Sequence, residues 1–238
     1  MCYTISRNTP EEKMLARLNR GKSKKNDFQP QLYINGFGYP ELPIVKQENR
    51  TVIDSAYWGF VPSHIKTESD AKKFKTDYLT LNAKSETVFK LPTYKSSILP
   101  RRCLIPITGF FEHRHIDPKN KIPYYIKITT DEIFCLAGIY NNYTNELGEN
   151  KTTFSILTTE ANPLMAKIHN SKKRMPLILD RELEEVWLDP ALNENEIKEL
   201  MRIFDENKMY AHTIEKISPK NTDFSNLLRE KKYVEIQD

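Results

Sequence analysis

Apolar residues in this chain come mostly in short runs of four to eight, broken by proline, glycine and asparagine, with helical spacing in only a few places. Residues 2–7 read as a short strand. Thr9, Pro10 and Glu12 predict a helix start, with Thr9 as cap, Pro10 in the first turn and Glu12 closing a capping box. That helix carries Met14, Leu15 and Leu18 on one face and stops near Gly21, followed by a basic loop over 20–25. Residues 33–43 predict an irregular segment with short extended pieces, and 51–61 a strand ended by Pro62. Residues 63–80 read as loop with a helical piece, and a helix is expected from Ser85 onward. Strands are expected over 103–111, 124–128, 133–140 and 152–158, with a turn over 141–150. Asn162 and Pro163 open a short helix that ends at His169, 175–179 is extended, 181–189 and 194–208 read as amphipathic helices, and 210–217 as a last strand.

Many non-local strands interrupted by single helices predict an α+β fold: one domain with a curved, barrel-like, mostly antiparallel sheet flanked by helices. No repeat or linker divides residues 1–238, so 181–238 is expected to pack as helices and a last strand on the same domain.

Composition narrows the class. The chain is 39% hydrophobic and 29% charged, as in soluble globular proteins. Its apolar runs fall short of the ~18 residues of a membrane span, and its start is polar and charged, so a membrane or secretory role is not expected. Cys2, Cys103 and Cys135 form no CxxC pair; no zinc, other metal or cofactor is expected, and a reducing cytoplasmic location fits. The net charge of +4 conceals an asymmetry, because residues 1–180 carry 27 Lys+Arg against 18 Asp+Glu and residues 181–238 carry 9 against 14. A basic face on the first part suits a polyanion, although lysine-rich surfaces are common and charge alone is weak evidence.

Candidate chemistry begins at Cys2. Removal of Met1 before so small a residue would leave a free α-amine beside a thiol. An α-amine has a reference pKa near ~7.7–8.0, so a useful fraction is neutral at cellular pH. The pair can trap an aldehyde as a Schiff base and close it to a thiazolidine. By itself a cysteine at position 2 is more often an unremarkable terminus. Three other polar residues stand in apolar or tight contexts: Asn82 after an apolar run, Glu112 at the end of the run 105–111, and His169 at a helix end. A carboxylate and an imidazole suit proton transfer. A strand-end carboxylate and a histidine answering a helix dipole are the plainer alternatives.

The chain resembles the SRAP family, the SOS-response-associated peptidases that act on abasic sites. The resemblance lies in Met1-Cys2, Trp58-Gly59-Phe60-Val61-Pro62, the segment 82–87, Arg102-Cys103-Leu104-Ile105-Pro106, Gly109-Phe110-Phe111-Glu112, and His169 with Arg174-Met175-Pro176. It spans residues 2 to about 180. It implies that Cys2 crosslinks to the ring-opened sugar of an abasic site in single-stranded DNA, that Asn82 holds the N-terminal residue, that Glu112 binds the sugar and shuttles protons, and that His169 assists ring opening. The peptidase label refers to exposure of Cys2.

Departures from the family pattern are visible too. Cys2-Tyr3-Thr4 stands where Cys-Gly-Arg is common, Lys84 where an arginine is usual, and His64 and His113 where tryptophans are usual, and two residues are inserted between His169 and Arg174. On this reading Trp58, Phe110 and Tyr39 are candidates to stack on bases, and Lys84, Arg102, Arg174, Lys172 and Lys173 to meet phosphates. The expected partner is abasic single-stranded DNA, and the protein is expected to be a monomer. The alternative function is a thiol peptidase or amidohydrolase with Cys2 as the nucleophile; a third is a nucleic-acid-binding module without chemistry.

Overall fold

A computed structural model describes residues 2–23, 27–217 and 224–236. Met1, part of the basic loop over 20–25 and the last residues of the chain lie outside them. The elements in chain order are β1 (Thr4–Arg7), α1 (Glu11–Leu18), β2 (Gly21–Lys22), β3 (Gln31–Asn35), β4 (Glu41–Lys46), β5 (Asn49–Trp58), α2 (Glu68–Tyr78), β6 (Asn82–Lys84), α3 (Pro92–Ile98), β7 (Arg102–Ile107), β8 (Gly109–His115), β9 (Lys121–Ile128), β10 (Phe134–Thr144), β11 (Asn150–Glu160), α4 (Pro163–Ile168), β12 (Arg174–Pro176), α5 (Glu184–Trp187), α6 (Glu194–Leu200) and β13 (Met209–Thr213).

β11, β10, β7, β4 and β5 are hydrogen-bonded in that order, and β5 returns to β11 in parallel through Tyr57↔Thr153 and Trp58↔Phe154. That last pairing closes a five-stranded mixed barrel and leaves its walls without free edges. A second, antiparallel sheet runs β13-β9-β8-β1-β3. The expected α+β architecture with a barrel-like sheet is therefore present, and one pairing in the barrel is parallel.

Alternation along the strands sorts the core into two layers. Cys103, Ile105 and Ile107 of β7, Leu136 and Tyr140 of β10, and Phe154 and Ile156 of β11 belong to one buried cluster, which continues under the second sheet. Leu104, Cys135, Ala137, Ile139 and Leu157 face the other way, against Met14 and Leu18 of α1, Ile98 of α3, Trp187 of α5 and Ile197 of α6. Gly138 lies where Ile105 and Cys103 crowd the barrel wall, and the Ser155 carbonyl is 2.9 Å from where a Cβ would stand. A side chain there would displace backbone.

Several local expectations are corrected. Thr9 does not cap α1; the helix starts one residue later, with Pro10 at the cap position, and stops at Asn19 in the left-handed conformation rather than at Gly21. The expected strand 103–111 is two strands with a break at Thr108, so β7 lies in the barrel and β8 in the second sheet. The short extended pieces expected over 33–43 are the end of β3 and the start of β4, with a tight turn over Gly36–Gly38 between them. No helix starts at Ser85, because β6 is parallel to β11 and the Ser85 amide continues that pairing to the Thr158 carbonyl at 2.9 Å. The helix comes later, as α3, with Pro92 in its first turn. The strand read over 51–61 ends at Trp58, before Gly59 with φ of +124°, where a side chain would be strained. The turn expected over 141–150 shrinks, since β10 runs on through Thr144. The helix expected over 194–208 ends at Leu200.

Candidate active site

Cys2 lies two residues before the start of β1. β1 is the central strand between β8 and β3, with Thr4 opposite Phe111 on one side and Asn35 on the other. One residue further back, the Tyr3 carbonyl accepts the Gly36 amide at 2.8 Å, so the chain is still held in the sheet next to Cys2. Asn82 reaches Cys2 from the barrel, because β6 is fastened to β11 at Ile156↔Asn82. The Asn82 Nδ2 donates to the Cys2 carbonyl at 2.9 Å. The thiol is buried, with Cys2 only 1% exposed. Burial, and then the negative charge of Glu112, push the thiol up to about 12.

Glu112 and His169 come from separate parts of the chain. Glu112 sits midway along β8. His169 follows α4, which is capped at its start by the Asn162 side chain on the Met165 amide at 2.8 Å, with Pro163 in the first turn. His169 Nδ1 lies 2.8 Å from the Arg174 carbonyl and 3.7 Å from Glu112 Oε2. The Arg174 amide also approaches Nδ1, at 3.3 Å, but the carbonyl contact is the shorter and a carbonyl can only accept, so the proton is assigned to Nδ1 and Nε2 is the basic nitrogen. Desolvation by burial lowers the His169 pKa from 6.5, and the charge of Glu112 opposes this. The imidazole is thus a neutral base near pH 7.

Asn170, which sequence reasoning missed, sets the spacing between these two groups. Its Oδ1 accepts the His115 amide at 3.0 Å and its Nδ2 donates to the His115 carbonyl at 2.8 Å. This two-bond clamp ties the turn after His169 to the end of the strand that carries Glu112. Beside the two residues opens a cleft of about 420 Å³, also lined by Tyr3, His113, His115, Lys121, Ser171 and Lys172.

The family model described as SOS response associated peptidase (SRAP) matches residues 1–218. This chain belongs to the SRAP family. It is 33% identical over 183 residues to abasic site processing protein YoqW of Bacillus subtilis (strain 168), covering 76% of this chain and 78% of that protein. Abasic site processing protein HMCES of Gallus gallus is 32% identical over 156 residues, which span 56% of this chain and 44% of that longer protein. Among solved structures, a protein from Bacteroides thetaiotaomicron superposes with a TM-score of 0.87 at 35% identity, over 97% of this chain and 100% of that one.

Not every residue expected to meet DNA is on the surface of this SRAP protein. Trp58 is 0% exposed; its indole lies parallel to Phe154 and its Nε1 donates to the Leu81 carbonyl at 2.8 Å. Phe110 is buried in the same core. Neither ring is free to stack on a base. Arg102 is buried as well, and its guanidinium serves helix ends: Nε donates to the Trp187 carbonyl at 2.7 Å, Nη1 to Ile98 at 3.0 Å, and other donors go to Leu99 and Asp189. These carbonyls close α3 and α5, where unpaired acceptors and the negative end of the helix dipole call for a cation.

Arg174 is half-buried, forked onto the Glu86 carboxylate and bonded to the Thr158 carbonyl at 2.7 Å. Tyr39 is half-buried, with Lys75 4.4 Å above its ring. Lys84, Lys172 and Lys173 are exposed. Tyr3, Lys121 and Lys172 line the cleft, and of these only Lys172 is a candidate DNA contact in the sequence. Among the described residues, no group of three or more His, Cys, Asp or Glu is arranged to hold a metal ion, and no helix is long and apolar enough to cross a membrane.

Proposed function

We propose that this protein captures abasic sites in single-stranded DNA as a covalent thiazolidine at Cys2, once Met1 has been removed. The reading is supported by three links: the Asn82 amide on the Cys2 carbonyl, the charge of Glu112 felt by the Cys2 thiol, and Glu112 and His169 side by side on one cleft. The relatives named as abasic site processing proteins support the substrate.

An abasic deoxyribose is mostly a closed hemiacetal. His169 Nε2 takes the proton of the C1′ hydroxyl, and a proton returns to the ring oxygen as the C1′ aldehyde opens. The Cys2 amine adds to C1′, and the carbinolamine loses water to give the Schiff base. Sγ then bonds to C1′ as the thiol adds across the C=N bond, and the thiol proton moves to the nitrogen by way of Glu112. One water leaves in total. Asn82 fixes the carbonyl of the attacking residue, so amine and aldehyde meet in one geometry rather than by diffusion. Lys84, Lys121 and Lys172 offer charge to the phosphates.

In the competing amide-hydrolase reading, Cys2 attacks first as a thiolate. A thiol pushed up to about 12 by burial and Glu112 is poorly suited to that step, whereas amine-first capture needs no thiolate at its start. The test is incubation with an abasic single-stranded oligonucleotide, followed by a denaturing gel and intact-mass measurement. The expected adduct is the chain without Met1 plus the oligonucleotide minus one water. A durable adduct on protein that retains Met1, or an undiminished one with Cys2→Ala, overturns the reading.

A further inference from the structure

The turn between β3 and β4 holds an aromatic ring out of the protein one residue away from the cleft. Phe37 is 51% exposed, so about half of this apolar side chain meets solvent. The turn that carries it is nevertheless tied to its surroundings. The Phe37 amide donates to Asn35 Oδ1 at 3.0 Å. On one side of it the Gly36 amide is bonded to the Tyr3 carbonyl. Gly36 also lies so flat against Trp58 that a Cβ there would stand 3.0 Å from the buried indole. Phe37 packs against Tyr3, with ring centroids 4.9 Å apart and planes inclined by 36°. Tyr3 in turn lines the cleft with Glu112 and His169 and directly follows the residue that reacts. Trp58 thus acts from below, as the floor that holds the turn.

We propose that Phe37 and Tyr3 form a stacking platform for a nucleobase flanking the abasic site. This rests on the abasic-site reading above. Loss of a base leaves its neighbour with one face unstacked, and a preorganised ring pair beside the cleft covers that face at little ordering cost. Stacking tolerates any base, but the larger purine face gains more. The platform therefore gives the protein a preference for a purine beside the lesion. It belongs to this chain's own Tyr3, where the related pattern has glycine.

The test uses full-length protein and single-stranded oligonucleotides carrying either a reactive abasic site or its non-reactive tetrahydrofuran analogue, with a purine or a pyrimidine at each flank. Wild type, Phe37→Ala, Phe37→Trp and Tyr3→Gly are compared by half-saturation on the analogue, with melting temperatures to check the fold. Removing one base–aromatic stack corresponds to roughly 5- to 150-fold in affinity. Phe37→Ala is expected to weaken binding within that range and to erase the purine preference. Phe37→Trp is expected to preserve both, and Tyr3→Gly to reduce both. Wild type without flank preference, or Phe37→Ala with unchanged half-saturation, overturns the platform. Crosslinking by wild type keeps the two readings apart: if it crosslinks and the variants bind alike, only the platform fails, whereas absence of any crosslink overturns the abasic-site reading itself.

Discussion

The side-chain amide of Asn82 holds the main-chain carbonyl of Cys2 at 2.9 Å, across 80 residues of chain and from a different sheet. It is the link between the barrel and the N-terminal residue. Asn82→Ala removes the donor without touching the thiol or the amine. The expected loss of stability is small, about 0.5–1.5 kcal/mol for one hydrogen bond. The expected loss of crosslinking rate is larger, on the order of 10- to 100-fold, because displacement by about an ångström is costly to a positioned reaction. Single-turnover crosslinking, with thermal melting alongside, separates the two effects.

The tautomer of His169 makes a prediction about pH. With Nδ1–H committed to the Arg174 carbonyl, Nε2 acts as a base only while the ring is neutral. Burial lowers the His169 pKa from 6.5, so the neutral form persists below that pH. The Cys2 amine adds its own rise in rate toward ~7.7–8.0, which obscures the raw profile. The ratio of wild-type rate to His169→Gln rate cancels that rise. The ratio is expected to be about 10²-fold or more, level above pH 6.5, and to fall only below it. A ratio near one throughout would leave His169 no role in the chemistry.

Arg102 has a structural role that its neighbours in sequence conceal. Arg102→Met would leave the carbonyls of Trp187, Ile98 and Asp189 without the donors that close α3 and α5. Each buried acceptor left unpaired costs about 1–3 kcal/mol, and the loss of several together is expected to reach about 3–5 kcal/mol. Denaturant unfolding measures it. DNA affinity of the folded fraction is expected to be unchanged, which distinguishes this role from a phosphate contact.

Much of the architecture is legible in short apolar runs. Residues 133–140 read as a strand because the run is continuously apolar, and the structure shows why: Leu136 and Tyr140 are buried in one layer while Cys135, Ala137 and Ile139 are buried in the other. Asn162 and Pro163 announce α4 by capping chemistry that needs no tertiary context. Local context marks Cys2, Asn82, Glu112 and His169 one by one as candidates, but only the family pattern joins them, because they lie on four separate stretches of chain and no local rule links them. What local reading misses depends on distant partners. Arg102 looks like a charge flanking a strand until the carbonyl of Trp187, 85 residues away, is placed on it. Trp58 looks like a stacking residue until Phe154 and the Leu81 carbonyl enclose it. The segment from Ser85 looks helical until β11 recruits it.

The lysines of the cleft lead to a salt prediction. Lys121 and Lys172 are exposed and border the cleft with His115 and Glu112. If each meets one phosphate, replacing either with alanine should weaken binding to single-stranded DNA about equally for all sequences. It should also reduce the slope of log affinity against log salt by about one. Titrations of each variant at several ionic strengths give that slope directly. An unchanged slope would place the phosphates elsewhere on the surface.

Asn170 makes the sharpest separation between folding, binding and chemistry. Its two bonds to the His115 backbone are exposed to solvent, so Asn170→Ala should cost little stability, about 1 kcal/mol. Neither bond involves a group that touches the sugar. What they hold is the distance between β8 and the end of α4, and with it the approach of His169 to Glu112, 3.7 Å in the clamped state. Released from the clamp, the turn at 169–171 has the Arg174 carbonyl as the main tether on the imidazole. Binding to a non-reactive abasic analogue should therefore be nearly unchanged, while single-turnover crosslinking slows by about 10-fold, less than the loss of the histidine itself. Asn170→Asp keeps the acceptor for the His115 amide and loses the donor to its carbonyl, so it should fall between wild type and alanine. Equal rates for all three proteins would mean that packing of α4 on β8 alone fixes His169. A parallel loss of analogue binding would mean that Asn170 shapes the cleft rather than the alignment of its acid–base pair.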